Sequence, residues 1–144
     1  MLPKTDWAPL IPHTGSMCLL DAVQAWDART IHAVSASHAR MDNPLRGPDG
    51  LHVVHLAEYG AQAMAVHGAL LARADGVDVV RPGRLVSLRD VQLFAEYVDR
   101  LDGLLDVHAE CLYAHDGGAQ YAFRVEHRGR LLASGRAAVI HPES

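Results

Sequence analysis

One apolar segment of the chain, LHVVHLAEYGAQAMAVHGALLA, carries the side chains best suited to chemistry. Glu58 is the only Asp, Glu, Lys or Arg between Leu51 and Ala72, and His52, His55 and Gln62 are close to it in sequence. A carboxylate paired with an imidazole is a common arrangement in general acid–base catalysis. The segment therefore combines the composition of a buried helix with groups that can move protons.

Helical periodicity collects these polar side chains on one face. At about 100° per residue, Glu58, Gln62, Tyr59 and His52 all lie within about 60° of His55. A single carboxylate on such a face is either a solvated charge or a functional exception, and its isolation in an apolar segment favours function.

Two further features of the helix are not assigned to catalysis. His67 falls on the opposite, apolar face and is predicted to be a hydrogen-bonded core histidine. His52, His55 and Glu58 are spaced at i, i+3 and i+6, but steps of three spiral around a helix, so the two ends diverge by about 120°. No HExxH motif is present, and no metal site is predicted.

The elements that must position this helix follow from alternation and turn residues. The helix is expected over residues 51–74, with Asp49 as N-cap and Gly76 after its end. Strands are predicted at residues 18–26, 31–37, 83–94, 104–114, 120–127 and 130–141. The order β-β-α-β-β-β-β predicts an α+β hotdog fold, an antiparallel sheet wrapped around one long central helix, as a single domain over residues 1–144.

Composition and charge exclude several classes of function. The chain has 13 Lys and Arg against 17 Asp and Glu, a net charge of −4 with no basic face, so nucleic acid is not a predicted partner. Cys18 and Cys111 form no CxxC motif, so neither a disulfide framework nor a zinc knuckle is indicated. The N-terminal segment has no apolar core typical of a signal peptide, and no apolar run is long enough to span a bilayer. A cytoplasmic protein without a membrane partner is expected.

Two segments resemble one family of proteins. IPHTGSMCLLDAV, at Ile11–Val23, is similar to the PHR-x-PxLLxDRV opening of bacterial 3-hydroxyacyl-acyl carrier protein dehydratases of the hotdog superfamily. HLAEYGAQAMAVHG, at His55–Gly68, is similar to their LIIEAMAQ helix. It is closer still to a divergent branch found in aryl polyene clusters, whose helix reads like EYMAQA. The resemblance covers nearly the whole chain and implies the same fold.

The resemblance also implies a mechanism. In these dehydratases the helix carboxylate protonates the departing β-hydroxyl, and a histidine from the other subunit removes the proton α to the thioester carbonyl. Backbone N–H groups at the helix N-terminus hold the carbonyl oxygen. Carried over by position, Glu58 is the acid, with a pKa raised by desolvation, Gln62 lies beside it, and Gly50 to Val54 supply the N–H groups.

The chain departs from the family where that histidine should be. The family's histidine belongs to a GHFPG loop, and the corresponding position here is Pro44, in MDNPLRGPDG, which contains no histidine. A replacement has to come from His52 or His55 at the helix entrance, or from His38. His13, in the PH opening, is assigned to structure.

We therefore predict Glu58, His55 and His52 as catalytic residues and Gln62, Tyr59, Val53 and Val54 as substrate-binding residues. Three functions remain open. The first is a dehydratase acting on 3-hydroxyacyl thioesters. The second is an acyl thioesterase that uses Glu58 with Gln62, and the third is a non-catalytic subunit of a dehydratase heterodimer.

The predicted partners follow from the same resemblance. The substrate is an acyl thioester carried by acyl carrier protein or CoA, and an acidic carrier protein would dock on a local patch such as Arg81, Arg84 and Arg89. The chain is expected to form a homodimer, or a heterodimer with a related hotdog subunit, because the helix has more apolar surface than one sheet can cover. No organic cofactor is predicted, since there is no glycine-rich phosphate loop and elimination of water needs none.

Overall fold

One long helix lies across an antiparallel sheet of seven described strands, in the spatial order β1-β2-β3-β5-β6-β7-β4. The computed structural model describes residues 1–11, 13–76, 84–115 and 117–140. The helices are α1 (Lys4–Trp7) and α2 (Leu56–Ala74). The strands are β1 (Leu2–Pro3), β2 (Ala22–Trp26), β3 (Thr30–Ser35), β4 (Arg84–Leu93), β5 (Leu105–His115), β6 (Gly118–His127) and β7 (Arg130–Ile140).

This architecture confirms the predicted hotdog arrangement and its element order. The structure adds the two-residue strand β1, which pairs with β2 and is too short to show an alternating pattern. Turns are predicted at both ends of β6, and the structure describes the second of them in full. Arg128 and Gly129, which join β6 to β7, both have positive φ (51° and 82°), as a tight hairpin requires. The predicted turn before β6 includes Asp116, which lies outside the described residues.

The start of the central helix corrects one prediction. A short 3-10 turn, Val53–His55, precedes α2, and its N-cap is His52 rather than Asp49. The reason is tertiary, because residue 51 is held in an extended pairing with the segment that follows β4. Leu51 donates its N–H to Asp99 Oδ1 (2.9 Å), and its carbonyl accepts from the N–H of Val98 (2.9 Å). The helix end is as predicted, with Gly76 at a φ of +79° just after it.

The apolar face of α2 packs on the sheet at close range. Gly60 lies against the Phe123 ring on β6, and a Cβ atom at position 60 would be only 2.6 Å from that ring. His67 is fully buried on the same side: its Nε2 bonds to the carbonyl oxygen of Asp27 (2.8 Å) and its Nδ1 to the hydroxyl of Tyr121 (2.7 Å). The prediction of a hydrogen-bonded core histidine is confirmed.

Strand β4 forms one edge of the sheet, and its apolar side chains stay accessible. Leu85, Leu88 and Leu93 pair with β7 residues on the concave side of the sheet yet are 43%, 41% and 39% exposed. No other described strand pairs with the outer edge of β4. None of the described helices has the length and apolar character needed to cross a membrane.

Candidate functional site

The Glu58 carboxylate meets a histidine from the N-terminal segment. His13 Nε2 lies 3.3 Å from Glu58 Oε1, and both side chains are partly open to solvent, at 27% and 33% exposure. Glu58 is in the first turn of α2, whereas His13 comes from the loop before β2. The fold therefore brings a carboxylate and an imidazole together from positions 45 residues apart, at a position that is partly open to solvent.

The charge state of Glu58 differs from the expected one. The hydrogen bond from His13 is the largest influence, and it holds the pKa of Glu58 below its ordinary value; the hydrogen bond from Gln62 acts in the same direction. Burial acts in the opposite direction but is the smaller effect. The predicted rise in the pKa of Glu58 is therefore wrong, and the group is a carboxylate at neutral pH.

Gln62, one helical turn after Glu58, is fully buried and all of its polar atoms are engaged. Its Oε1 accepts from the Leu19 N–H at 2.9 Å. Its Nε2 donates to the carbonyl oxygen of Met17 at 2.7 Å and to Glu58 Oε1 at 3.4 Å. Each of its polar atoms thus has a partner within the chain, and the role of Gln62 in substrate binding stays a prediction.

The three histidines predicted as replacement bases do not contact Glu58. Within the described residues, neither His52 nor His55 places a ring nitrogen within 4.0 Å of the Glu58 carboxylate. The Nδ1 atom of His52 instead accepts the Val54 N–H at 3.1 Å. His38 is fully buried, with Nε2 bonded to the Leu101 carbonyl oxygen at 2.8 Å. Within the described residues of one chain, His13 is the histidine that contacts Glu58. A pairing of Glu58 with one of the other three across a subunit interface stays a prediction.

Tyr59 and Val53, also predicted to bind substrate, lie in the interior of the chain. Tyr59 is fully buried, and its hydroxyl bonds to Ser37 Oγ (2.7 Å) and to Asn43 Nδ2 (3.0 Å). Val53 is fully buried in the core. Val54 is 46% exposed, so it is the member of the predicted substrate-binding set whose side chain a ligand can reach.

Most of the backbone donors predicted at the helix entrance are already occupied. Four of the N–H groups between residues 50 and 54 have acceptors within the chain. The bonds are Gly50 to Gly47 O, Leu51 to Asp99 Oδ1, Val53 to Glu96 O and Val54 to His52 Nδ1. Two of these acceptors are side chains, the Asp99 carboxylate and the His52 imidazole, and the other two are backbone carbonyl oxygens.

Comparison with known proteins places the chain in a family. A family model described as ApeP-like, ApeP dehydratase, matches residues 5–144. The chain belongs to the ApeP-like dehydratase family. As a family member it is a dehydratase-like hotdog protein. No curated protein sequence matches the chain.

Solved structures agree on the fold of this ApeP-like chain. The dehydratase heterocomplex ApeI:P from Xenorhabdus doucetiae matches with a TM-score of 0.85 and 21% identity, covering 100% of this chain and 93% of that one. A thioesterase from Staphylococcus aureus matches at 0.60 and 15% identity, covering 84% and 93%. A hypothetical thioesterase with coenzyme A from Streptococcus pneumoniae matches at 0.60 and 10% identity, covering 85% of each chain. At these identities the likenesses establish the fold alone.

His13 is the residue whose contact with Glu58 the sequence does not predict. The only signal for it is its position in the PH opening, the segment that resembles the family, and that position suggested a structural role. Helical periodicity predicts which side chains of a helix share one face. It does not predict that a histidine from a separate loop packs against that face. The contact therefore emerges only when the loop is folded over α2.

Proposed function

We propose that this ApeP-like protein dehydrates 3-hydroxyacyl thioesters, with Glu58 and His13 exchanging protons with the substrate. The observation that carries the proposal is the 3.3 Å contact between His13 Nε2 and Glu58 Oε1 at a partly open position of the fold. Elimination of water requires one group to take a proton and another to give one, and an adjacent carboxylate and imidazole supply both.

The reaction balances with these two groups alone. The Glu58 carboxylate takes the proton on the α carbon, and the electrons of that C–H bond form the new Cα=Cβ double bond. The Cβ–O bond breaks, and the hydroxyl leaves as water with a proton from Nε2 of protonated His13. Transfer of a proton from the Glu58 carboxyl to the imidazole across their contact restores the starting state.

This division of roles is the reverse of the one that the family resemblance implies. A carboxyl group must be ionised to act as a base, and the hydrogen bond from His13 favours the ionised form of Glu58 by lowering its pKa. Glu58 is accordingly assigned as the base and His13 as the acid.

The occupied carboxamide of Gln62 supports dehydration over thioester hydrolysis. A thioesterase that pairs Glu58 with Gln62 needs the amide to bind or polarise the substrate carbonyl. Both N–H groups of Gln62 donate to Met17 and Glu58, and its oxygen accepts from Leu19. The carboxylate and the imidazole are left as the groups free to react.

A related hotdog subunit is the proposed partner, in a heterodimer or in a homodimer of this chain. The similar structure from Xenorhabdus doucetiae is a dehydratase heterocomplex, ApeI:P. The exposed leucines of β4 give such a subunit an apolar surface to cover, and the strand's free edge offers it backbone groups to pair with. The thioester is carried by acyl carrier protein or CoA. Arg84 and Arg89 on β4 are exposed candidates for carrier docking, and Arg81 lies outside the described residues.

The proposal is tested by assaying the purified full chain, alone and with the candidate partner subunit. The substrates are a 3-hydroxyacyl thioester and a saturated acyl thioester, each on CoA and on acyl carrier protein. Glu58→Gln and His13→Gln are each expected to lower the dehydration rate by roughly 10²- to 10⁴-fold, the usual contribution of one acid–base group. His32→Gln, on the opposite side of the sheet, is the control and keeps the wild-type rate.

Three outcomes contradict the proposal in different ways. Undiminished dehydration in Glu58→Gln removes Glu58 from the chemistry. If the complex is active but neither Glu58→Gln nor His13→Gln slows it, the chain is a non-catalytic subunit. Hydrolysis of the saturated thioester without dehydration of the hydroxyacyl thioester establishes the thioesterase alternative.

A further inference from the structure

The buried carboxamide of Gln62 joins the catalytic helix to the loop that carries His13. It accepts the Leu19 N–H at 2.9 Å, donates to the Met17 carbonyl oxygen at 2.7 Å, and donates to Glu58 Oε1 at 3.4 Å. One side chain thus contacts both the carboxylate and the backbone of the neighbouring loop. It is fully buried, so water does not compete for these bonds.

The loop between His13 and Leu19 is itself hydrogen-bonded, so a side chain that holds the Met17–Leu19 end also restrains the His13 end. It contains a 3-10 turn, Gly15–Met17. The Met17 N–H donates to the Thr14 carbonyl oxygen at 3.2 Å, and Thr14 directly follows His13. A residue that fixes Met17 therefore fixes the short turn that ends beside the imidazole.

The His13 ring has little other support. Its Nδ1 atom is buried and has no hydrogen-bond partner among the described residues, and its Nε2 atom faces Glu58. Apart from packing, the placement of the ring therefore depends on its contact with Glu58 and on the backbone of its own loop. Glu58 and Gln62 are four residues apart on α2, so the carboxylate and the attachment point of that loop share one rigid turn of helix.

We propose that Gln62 is a positioning residue that sets the distance between His13 and Glu58 by holding the Met17–Leu19 backbone against α2. The proposal rests on the proposed function only where activity is the readout. The placement of the ring is a property of the folded chain and is measured separately.

The first test replaces Gln62 with an isosteric side chain that forms no hydrogen bonds. In the full-length Gln62→Met variant, the NMR cross-relaxation signals between the His13 ring and the Glu58 side chain are expected to weaken or vanish. The dehydration kcat falls by roughly 10- to 100-fold, the usual effect of misplacing a reacting group by about 1 Å, and KM changes little.

Asn43→Leu is the matched control. Asn43 is also buried and also makes three hydrogen bonds, to Ser37 O (2.9 Å), to the Tyr59 hydroxyl (3.0 Å) and from the Leu45 N–H (2.9 Å). None of them involves the loop of His13. This variant is expected to lose a similar amount of stability while it keeps the His13–Glu58 signals and the wild-type kcat.

Gln62→Glu provides a second test that keeps the shape of the side chain. The introduced carboxyl is buried beside the Glu58 carboxylate, and both burial and the like charge favour its protonated form. When protonated it donates to the Met17 carbonyl oxygen and accepts from the Leu19 N–H, as the amide does. Activity is therefore expected to be retained at low pH and lost as the pH rises and the introduced group ionises, a change in pH profile that loss of stability alone does not produce.

The outcomes separate this proposal from the proposed function. Unchanged His13–Glu58 signals in Gln62→Met overturn the positioning role, whatever the activity. If Gln62→Met does not fold, a pH profile of Gln62→Glu identical to that of the wild type overturns it instead. Full activity of His13→Gln contradicts the proposed function, and the NMR result still decides whether Gln62 places the ring.

Discussion

At the scale of single residues, the Glu58 carboxylate is held between two donors, His13 and Gln62. Both donors favour the ionised form, and the bond from His13 is the stronger influence on the pKa. Desolvation, which raises the pKa of a catalytic acid, is outweighed because the side chain stays one-third exposed. The electrostatics of the site are thus set by a loop contact rather than by the apolar helix around the carboxylate.

A direct test is the titration of Glu58 followed by carbon NMR. The pKa of Glu58 is expected to lie below its ordinary value in the wild type and to rise in His13→Phe, because that variant removes the largest cause of the lowering. His32→Phe removes a histidine that contacts Asp106 and not Glu58, so it leaves the titration of Glu58 unchanged. An unchanged pKa in His13→Phe means that the two side chains are not in contact in solution.

The sequence singles out Glu58 as a candidate acid–base group but does not predict its neighbours, because the residues that contact it and its polar face are distant in the sequence. A lone carboxylate in an apolar helix stands out from local composition alone. Tyr59 shares the polar face by angle, yet Ser37 and Asn43, from segments beyond the helix, satisfy its hydroxyl and bury it. Which polar side chains remain free is decided by partners that are distant in the sequence.

At the scale of elements, the close approach of α2 to β6 depends on a residue without a side chain. Gly60 lies where any Cβ atom would be 2.6 Å from the Phe123 ring, so a larger residue must push the helix away from the sheet. The alternating and helical patterns that predicted these elements say which faces meet, but they do not give the distance between them.

A pair of glycine substitutions on the same helix tests this contact. Gly60→Ala is expected to destabilise the protein by about 1–3 kcal/mol, the usual cost of overpacking. Gly68→Ala is the control, because a Cβ atom there has no neighbour within 4 Å. It is expected to stabilise the helix by about 0.5–1 kcal/mol through the better helix propensity of alanine. Denaturant unfolding gives both values, and equal effects at the two positions contradict the assigned packing.

His67 couples the same helix to β6 and to the turn after β2, and it makes stability depend on pH. A carbonyl oxygen only accepts, so Nε2 donates to Asp27 O, and the neutral ring accepts the Tyr121 hydroxyl proton at Nδ1. Burial lowers the pKa of His67, so the folded state resists its protonation. The resulting stability is fully present above the unfolded pKa of about 6.5 and is lost as the pH falls through the lower folded pKa.

The free energy of unfolding is therefore expected to decrease as the pH is lowered from about 7.5 through 6.5. His67→Gln flattens this dependence, because the amide donates to Asp27 O and accepts from Tyr121 without titrating. Some slope remains, since burial also lowers the pKa of His38 and of His108. If the free energy of unfolding of His67→Gln depends on pH as steeply as that of the wild type, His67 has the same pKa in the folded and unfolded chains.

At the scale of the whole molecule, the concave side of the sheet extends farther than α2 covers. Leu88 on β4 pairs with Ala137 on β7, and Ala137 pairs with Tyr121 on β6, so all three point to the same side. Ala137 and Tyr121 are almost fully buried, at 4% and 3% exposure, whereas Leu88 is 41% exposed. Alternation in the sequence predicts Tyr121 as inward, and the described residues of one chain leave Leu88 on the edge strand partly uncovered.

The proposed partner subunit is expected to cover this surface, and charge placed there tests it. Leu88→Lys introduces an ammonium group on the apolar side of an edge strand, where a partner would have to desolvate it, so assembly is expected to weaken. Gln92→Lys places the same charge on the same strand. It is the control because Gln92 is exposed and pairs with Ser134, whose side chain faces away from the core.

Light scattering after size-exclusion chromatography measures the mass of the chain alone and with the candidate subunit. Loss of the assembly in Leu88→Lys with retention in Gln92→Lys supports β4 as the interface. If Leu88→Lys forms the same assembly with unchanged affinity, the partner binds at another surface. The exposed leucines of β4 then have no role in the interface.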